Sequence, residues 1–68
     1  MKLTINGQEQ TFPCATLAQL IEQLGMKQDR VAVELNRNII PRDQWTETSL
    51  SEGDQLEIVH FVGGGRSL

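Results

Sequence analysis

Three features of the sequence predict an α+β fold, with a mixed sheet of four to five strands packed on one main helix. The chain opens on a hairpin signal at Asn6-Gly7. One amphipathic helix follows, and further apolar strands come after it. A hairpin and later strands divided by a single helix can bury their apolar faces only by laying that helix across the sheet.

Leu3 and Ile5 alternate with Lys2 and Thr4, the period of a half-buried strand. Asn6-Gly7 suits a type I′ turn, whose two central residues need positive φ. Gln8 to Phe12 then returns antiparallel and ends at Pro13, which cannot donate to a ladder. Thr16 and Gln19 have the spacing of a capping box. Leu17, Leu20, Ile21 and Leu24 form one apolar stripe, with Gln19, Glu22 and Gln23 on the wet face, and Gly25 stops the helix. Val31 to Leu35 reads as a third strand with Val31, Val33 and Leu35 inward, and Asn36-Arg37-Asn38 as a turn. Ile39-Ile40 can add a short strand, and Pro41 to Trp45 suits a brief helical turn with proline in its first turn. Glu52-Gly53-Asp54 is a tight turn feeding the last strand, from Gln55 to Val62. The element order is that of a β-grasp. It divides the chain into a folded domain, residues 1–62, and a glycine tail with a three-residue extension, residues 63–68.

Sixty-eight residues with 38% hydrophobic content allow one small core and leave no wall for an enclosed active site. A net charge of −3 and a pI near 4.9 argue against nucleic acid as the main partner. The single cysteine, Cys14, excludes an intrachain disulfide, and no Cys/His cluster has zinc-ligand spacing, so no metal site is expected. No segment resembles a signal peptide or a membrane span, which makes the cytoplasm the expected compartment and a monomer the simplest state.

The final strand carries the functional signal. If Leu56 and Ile58 face the helix, then Gln55, Glu57, Val59 and Phe61 face away from it. Two polar residues followed by two large apolar ones make an odd solvated face, so Val59 and Phe61 are candidates for partner docking. By the same parity His60 points to the core edge. Gly63, Gly64 and Gly65 follow; without a Cβ they can pass through a slot barely wider than backbone. A terminal carboxylate at the end of such a thread is the expected working group. Cys14, Trp45, Glu52 and Asp54 read as structural residues, and Arg42 as an ordinary surface arginine.

The segments Asn36 to Trp45 and Glu52 to Gly65, the latter ending in the glycine tail, resemble the ThiS family, the bacterial sulfur carriers of thiamine biosynthesis. The resemblance extends over the whole domain in length and element order. It implies a ubiquitin-like β-grasp carrier and not an enzyme. In that family the terminal glycine carboxylate is adenylated by an ATP-dependent ThiF-type adenylyltransferase. Sulfur drawn from a cysteine desulfurase persulfide then converts it to a thiocarboxylate, which the thiazole synthase ThiG consumes. Matching the family's terminal diglycine to this sequence assigns the adenylated, sulfur-carrying position to Gly65, with Gly63 and Gly64 as the tail's passage. No cofactor is bound by such a carrier; ATP is used by the activating partner. The family ends on its second glycine, whereas Arg66-Ser67-Leu68 follow here and hold Gly65 in a peptide bond. The tripeptide is either an extension that a peptidase removes or a cloning remnant. Three alternatives stay open: a carrier for molybdopterin synthesis or tRNA thiolation, a ubiquitin-like module that docks without covalent chemistry, and a modifier joined to lysines.

Overall fold

The computed structural model describes residues 1–61. Strands β1 (Lys2–Ile5) and β2 (Gln8–Thr11) form the opening hairpin, and helix α1 (Leu17–Gln23) follows. Strands β3 (Val31–Leu35), β4 (Asn38–Ile39) and β5 (Gln55–His60) complete the molecule, with 3₁₀ segments at Gln28–Arg30 and Arg42–Glu47. The sheet order is β2-β1-β5-β3-β4, with β1 and β5 parallel and the other neighbours antiparallel. The last strand in sequence is thus the central strand in space. A parallel pair cannot be joined by a tight turn, and the long connection between β1 and β5 holds the helix that covers the sheet.

The local signals form as their chemistry demands. Asn6 and Gly7 both have positive φ, 51° and 82°, and the register pairs Ile5 with Gln8 across them. At the start of α1 the Gln19 N–H donates to Thr16 Oγ1 (3.2 Å), while Gln19 Oε1 accepts from the Thr16 and Ala15 N–H groups. Gly25, at φ 75°, lies just past the cap residue Leu24, where a left-handed residue lets the chain leave the helix. Thr16→Ala is expected to lower the unfolding free energy by about 1 kcal/mol in a urea titration, because the Gln19 N–H loses its Thr16 Oγ1 partner.

Leu17, Leu20 and Ile21 of α1 meet Leu3, Ile5, Val31, Val33, Leu56 and Ile58 of the sheet in one core. Trp45 closes it from the second 3₁₀ segment, 1% exposed, its indole N–H donating to the Ile40 carbonyl oxygen at 2.8 Å. Cys14 and Leu50 fill the same cluster. Pro41 sits one residue ahead of the second 3₁₀ segment, flanking its first turn and not inside it, and the segment at Gln28–Arg30 has no counterpart in the sequence reading.

Two differences concern the end of β5. Strand β5 stops at His60, with Phe61 still tied to Arg30 by an N–H···O bond of 2.8 Å; Val62 lies outside the described residues. The boundary expected after residue 62 also lies outside them. His60 is exposed and not at the core edge. Strand β1 pairs with β5 only at Thr4↔Gln55 and Ile5↔Leu56, so His60 extends past the last of β1.

Candidate functional site

Alternation along β5 sets up the site. Leu56 and Ile58 are buried, while Glu57, Val59 and Phe61 are exposed on the opposite face. Val59 is 60% and Phe61 51% exposed, values far too high for covered core residues. No neighbouring loop among the described residues hides them. Ile39, from β4, is 74% exposed, the third large apolar side chain open to solvent. Val59 and Ile39 line one shallow groove with Ala32, Val33, Glu34 and Glu57. The register sets Ala32 opposite Val59 and Glu34 opposite Glu57, so an apolar row nearest the tail is followed by an acidic row.

Two asparagines hold β5 in place from its two sides. Asn6 donates from Nδ2 to the Ile58 carbonyl oxygen (3.2 Å) and accepts the Ile58 N–H at Oδ1 (2.8 Å). Its side chain thereby replaces the strand that β1 ceases to provide. On the other side, Asn36 accepts the Gln55 N–H at Oδ1 (3.0 Å) and donates from Nδ2 to Asp54 Oδ1 (3.0 Å). Both asparagines have positive φ, 51° and 50°, conformations that asparagine tolerates better than most residues. Asp54 Oδ2 accepts the Ser51 N–H (2.7 Å) and Glu52 Oε2 the Lys2 N–H (2.9 Å), so these acids serve the turn, as the sequence suggests. The strand from which the tail departs is therefore anchored along both edges through Ile58.

Cys14 is buried, and burial pushes its thiol up from its ordinary value, opposed less strongly by the N-terminal ammonium. It stays protonated at neutral pH and is a weak nucleophile. Among the described residues no group of three His, Cys, Asp or Glu side chains could hold a metal ion. No helix among them is long and apolar enough to cross a membrane. Of the site residues expected from sequence, Val59 and Phe61 share one exposed face, whereas Gly63, Gly64 and Gly65 lie outside the described residues. Sequence reasoning missed Ile39 as part of that face; its signal was an apolar residue directly after a turn, on a strand too short to bury it. It also missed both asparagine clamps, of which the Asn-Gly and Asn-Arg turns reveal only the backbone half.

Comparison with known proteins gives the following. The ThiS family model matches residues 3–65. The chain is 44% identical over 66 residues to a thiazole synthase of Paramagnetospirillum magneticum, a match that covers 96% of this chain and 20% of that protein. It thus spans about a fifth of the length of this relative. It is 35% identical over 60 residues to the sulfur carrier protein ThiS of Escherichia coli, covering 84% of this chain and 91% of that one. Its fold superposes on the crystal structure of a thiamine biosynthesis protein (ThiS) from Geobacter metallireducens with a TM-score of 0.79 and 35% identity. That likeness covers 96% of this chain and all of the other, 100%. The mixed five-stranded sheet with its helix is therefore the ubiquitin-like β-grasp of these neighbours.

Proposed function

Because the chain belongs to the ThiS family, we propose that it is a sulfur carrier of thiamine biosynthesis, loaded at Gly65 and acting as a co-substrate of other enzymes. The observation that carries the reading is the central strand β5. It is held on both sides, carries the exposed Val59, is followed at once by the exposed Phe61, and precedes in sequence the glycine run in which the family match ends at residue 65.

The chemistry follows from the weakness of a carboxylate as an electrophile. Its charge and resonance repel nucleophiles. An adenylyltransferase of the ThiF type would join the Gly65 carboxylate to the α-phosphate of ATP, with pyrophosphate leaving. The resulting mixed anhydride has AMP as a good leaving group. The terminal sulfur of a cysteine desulfurase persulfide attacks the acyl carbon and displaces AMP, giving an acyl disulfide. A second thiol then attacks the desulfurase sulfur, forming a disulfide with it and releasing the thiocarboxylate. A thiazole synthase then takes that sulfur into the thiazole ring. The nucleotide, its metal and the acid–base groups belong to the partners, while this chain contributes the reacting carboxyl and the surface that presents it. Glycine at 65 leaves the acyl carbon unshielded, and Gly63 and Gly64 let a groove close on bare backbone.

Complementation tests the proposal. In a bacterium deleted for its own thiamine sulfur carrier, the chain ending at Gly65 is expected to restore growth without added thiamine. Failure to do so, with the folded protein present in the cell, contradicts the assignment. Phe61→Ala in the same assay is expected to slow growth, since truncating an exposed docking aromatic typically weakens an interface by about tenfold or more. Growth at the full rate would remove Phe61 from the docking surface.

A further inference from the structure

The hydrogen-bond phase of β5 leaves one backbone position unused. The Asn36 N–H donates to Gln55 O (2.7 Å) and the Phe61 N–H to Arg30 O (2.8 Å), so the odd-numbered residues of β5 bond towards β3. Leu56, Ile58 and His60 therefore direct their backbone groups to the β1 side. There Leu56 O accepts the Asn6 N–H (2.9 Å), and both backbone groups of Ile58 are met by the Asn6 side chain. Beyond that point the Asn6-Gly7 turn has carried the chain away into β2, and among the described residues neither the N–H nor the C=O of His60 has a partner. Asn6 thus closes the β1 side of β5 one step short of the strand's end.

We infer that this open edge at His60 is a docking site for the main chain of an extended segment of the thiazole synthase, which adds to the sheet as a strand beside β5. The inference rests on the carrier reading above and names how that partner grips the chain. Main-chain hydrogen bonds to an exposed strand edge supply affinity without any partner side chain. The edge is contiguous with the exposed Val59 and Phe61, so a partner segment there lies beside the proposed docking patch. In the Paramagnetospirillum relative, this domain is part of a single chain with the remainder of a thiazole synthase, which makes that enzyme the committed occupant.

Proline separates backbone from side chain in the test. His60→Pro removes an N–H that faces away from β3, so the β3–β5 ladder keeps its bonds; His60→Ala keeps the N–H and loses only the imidazole. Binding of each full chain to the thiazole synthase of the same organism is measured by calorimetry, with Tm as the check on folding. His60→Ala is expected to bind within about twofold of the parent, and His60→Pro about tenfold more weakly at a similar Tm. Equal binding by the two variants overturns the inference. Should His60→Pro unfold, amide exchange in the unaltered chain decides: the His60 N–H is expected to exchange at least tenfold more slowly on addition of thiazole synthase. An unchanged rate in the complex overturns the inference. If the unaltered chain does not bind thiazole synthase at all, the inference and the partner assignment both fall, while sulfur loading at Gly65, read by mass, still decides the carrier reading.

Discussion

A chain ending at Gly65 is expected to release pyrophosphate from ATP when mixed with the proposed ThiF-type adenylyltransferase, and the chain continued through Arg66-Ser67-Leu68 is expected to release none. The difference is one of kind. In the longer form the Gly65 carbonyl is an amide, with nitrogen where a carboxylate has its second oxygen, and the Gly65 acyl carbon cannot be joined to AMP without first cutting that bond. The longer chain does end in a carboxylate, on Leu68. That group sits three residues further along, and the side chains of Arg66 and Leu68 cannot follow a passage shaped for glycine. Trimming by a peptidase that leaves Gly65 terminal is expected to restore the reaction in full. Equal pyrophosphate release by both forms would show that the groove does not read the glycine run.

The second large effect is on stability. Trp45→Ala removes the largest fully buried side chain among the described residues of this 68-residue chain and leaves a cavity between the second 3₁₀ segment and the core. Aromatic-to-alanine changes in cores cost about 3–5 kcal/mol, against a total stability of roughly 3–10 kcal/mol for a domain of this size. The variant is expected to lose most or all of its cooperative thermal transition. Circular dichroism is the suitable readout, because Trp45 is the sole tryptophan and its fluorescence goes with it. Trp45→Phe keeps most of the buried volume but leaves the Ile40 carbonyl oxygen without its indole donor, and is expected to fall between the two. A sharp transition for Trp45→Ala near that of the parent would mean that the 3₁₀ segment is not part of the cooperative core.

The fold was legible in the sequence wherever a local rule and the global arrangement agree. Asn6-Gly7 could make only a tight hairpin, Thr16 with Gln19 only a helix start, and Leu17, Leu20 and Ile21 only an inward stripe; each is found in place. The errors lie where tertiary pairing decides. Strict alternation placed His60 beside Leu56 and Ile58, but alternation says nothing about where a neighbouring strand stops, and β1 stops opposite Leu56. A short strand at Ile39 was legible, but not that β4 lies at the sheet edge, where Ile39 stays open to solvent. The site was legible in part for the same reason. Val59 and Phe61 follow from parity alone, whereas the Asn6 and Asn36 clamps need the knowledge that β5, last in sequence, lies centrally between β1 and β3.

The central claim is that sulfur is loaded on the acyl carbon of Gly65. Intact-mass analysis, followed by fragmentation, tests it most directly, using the chain ended at Gly65 after incubation with adenylyltransferase, ATP, cysteine desulfurase and cysteine. The predicted result is the exchange of one oxygen for one sulfur, confined to the C-terminal fragment. An unchanged mass, sulfur added at Cys14 without loss of oxygen, or adducts joined through lysine would each contradict it.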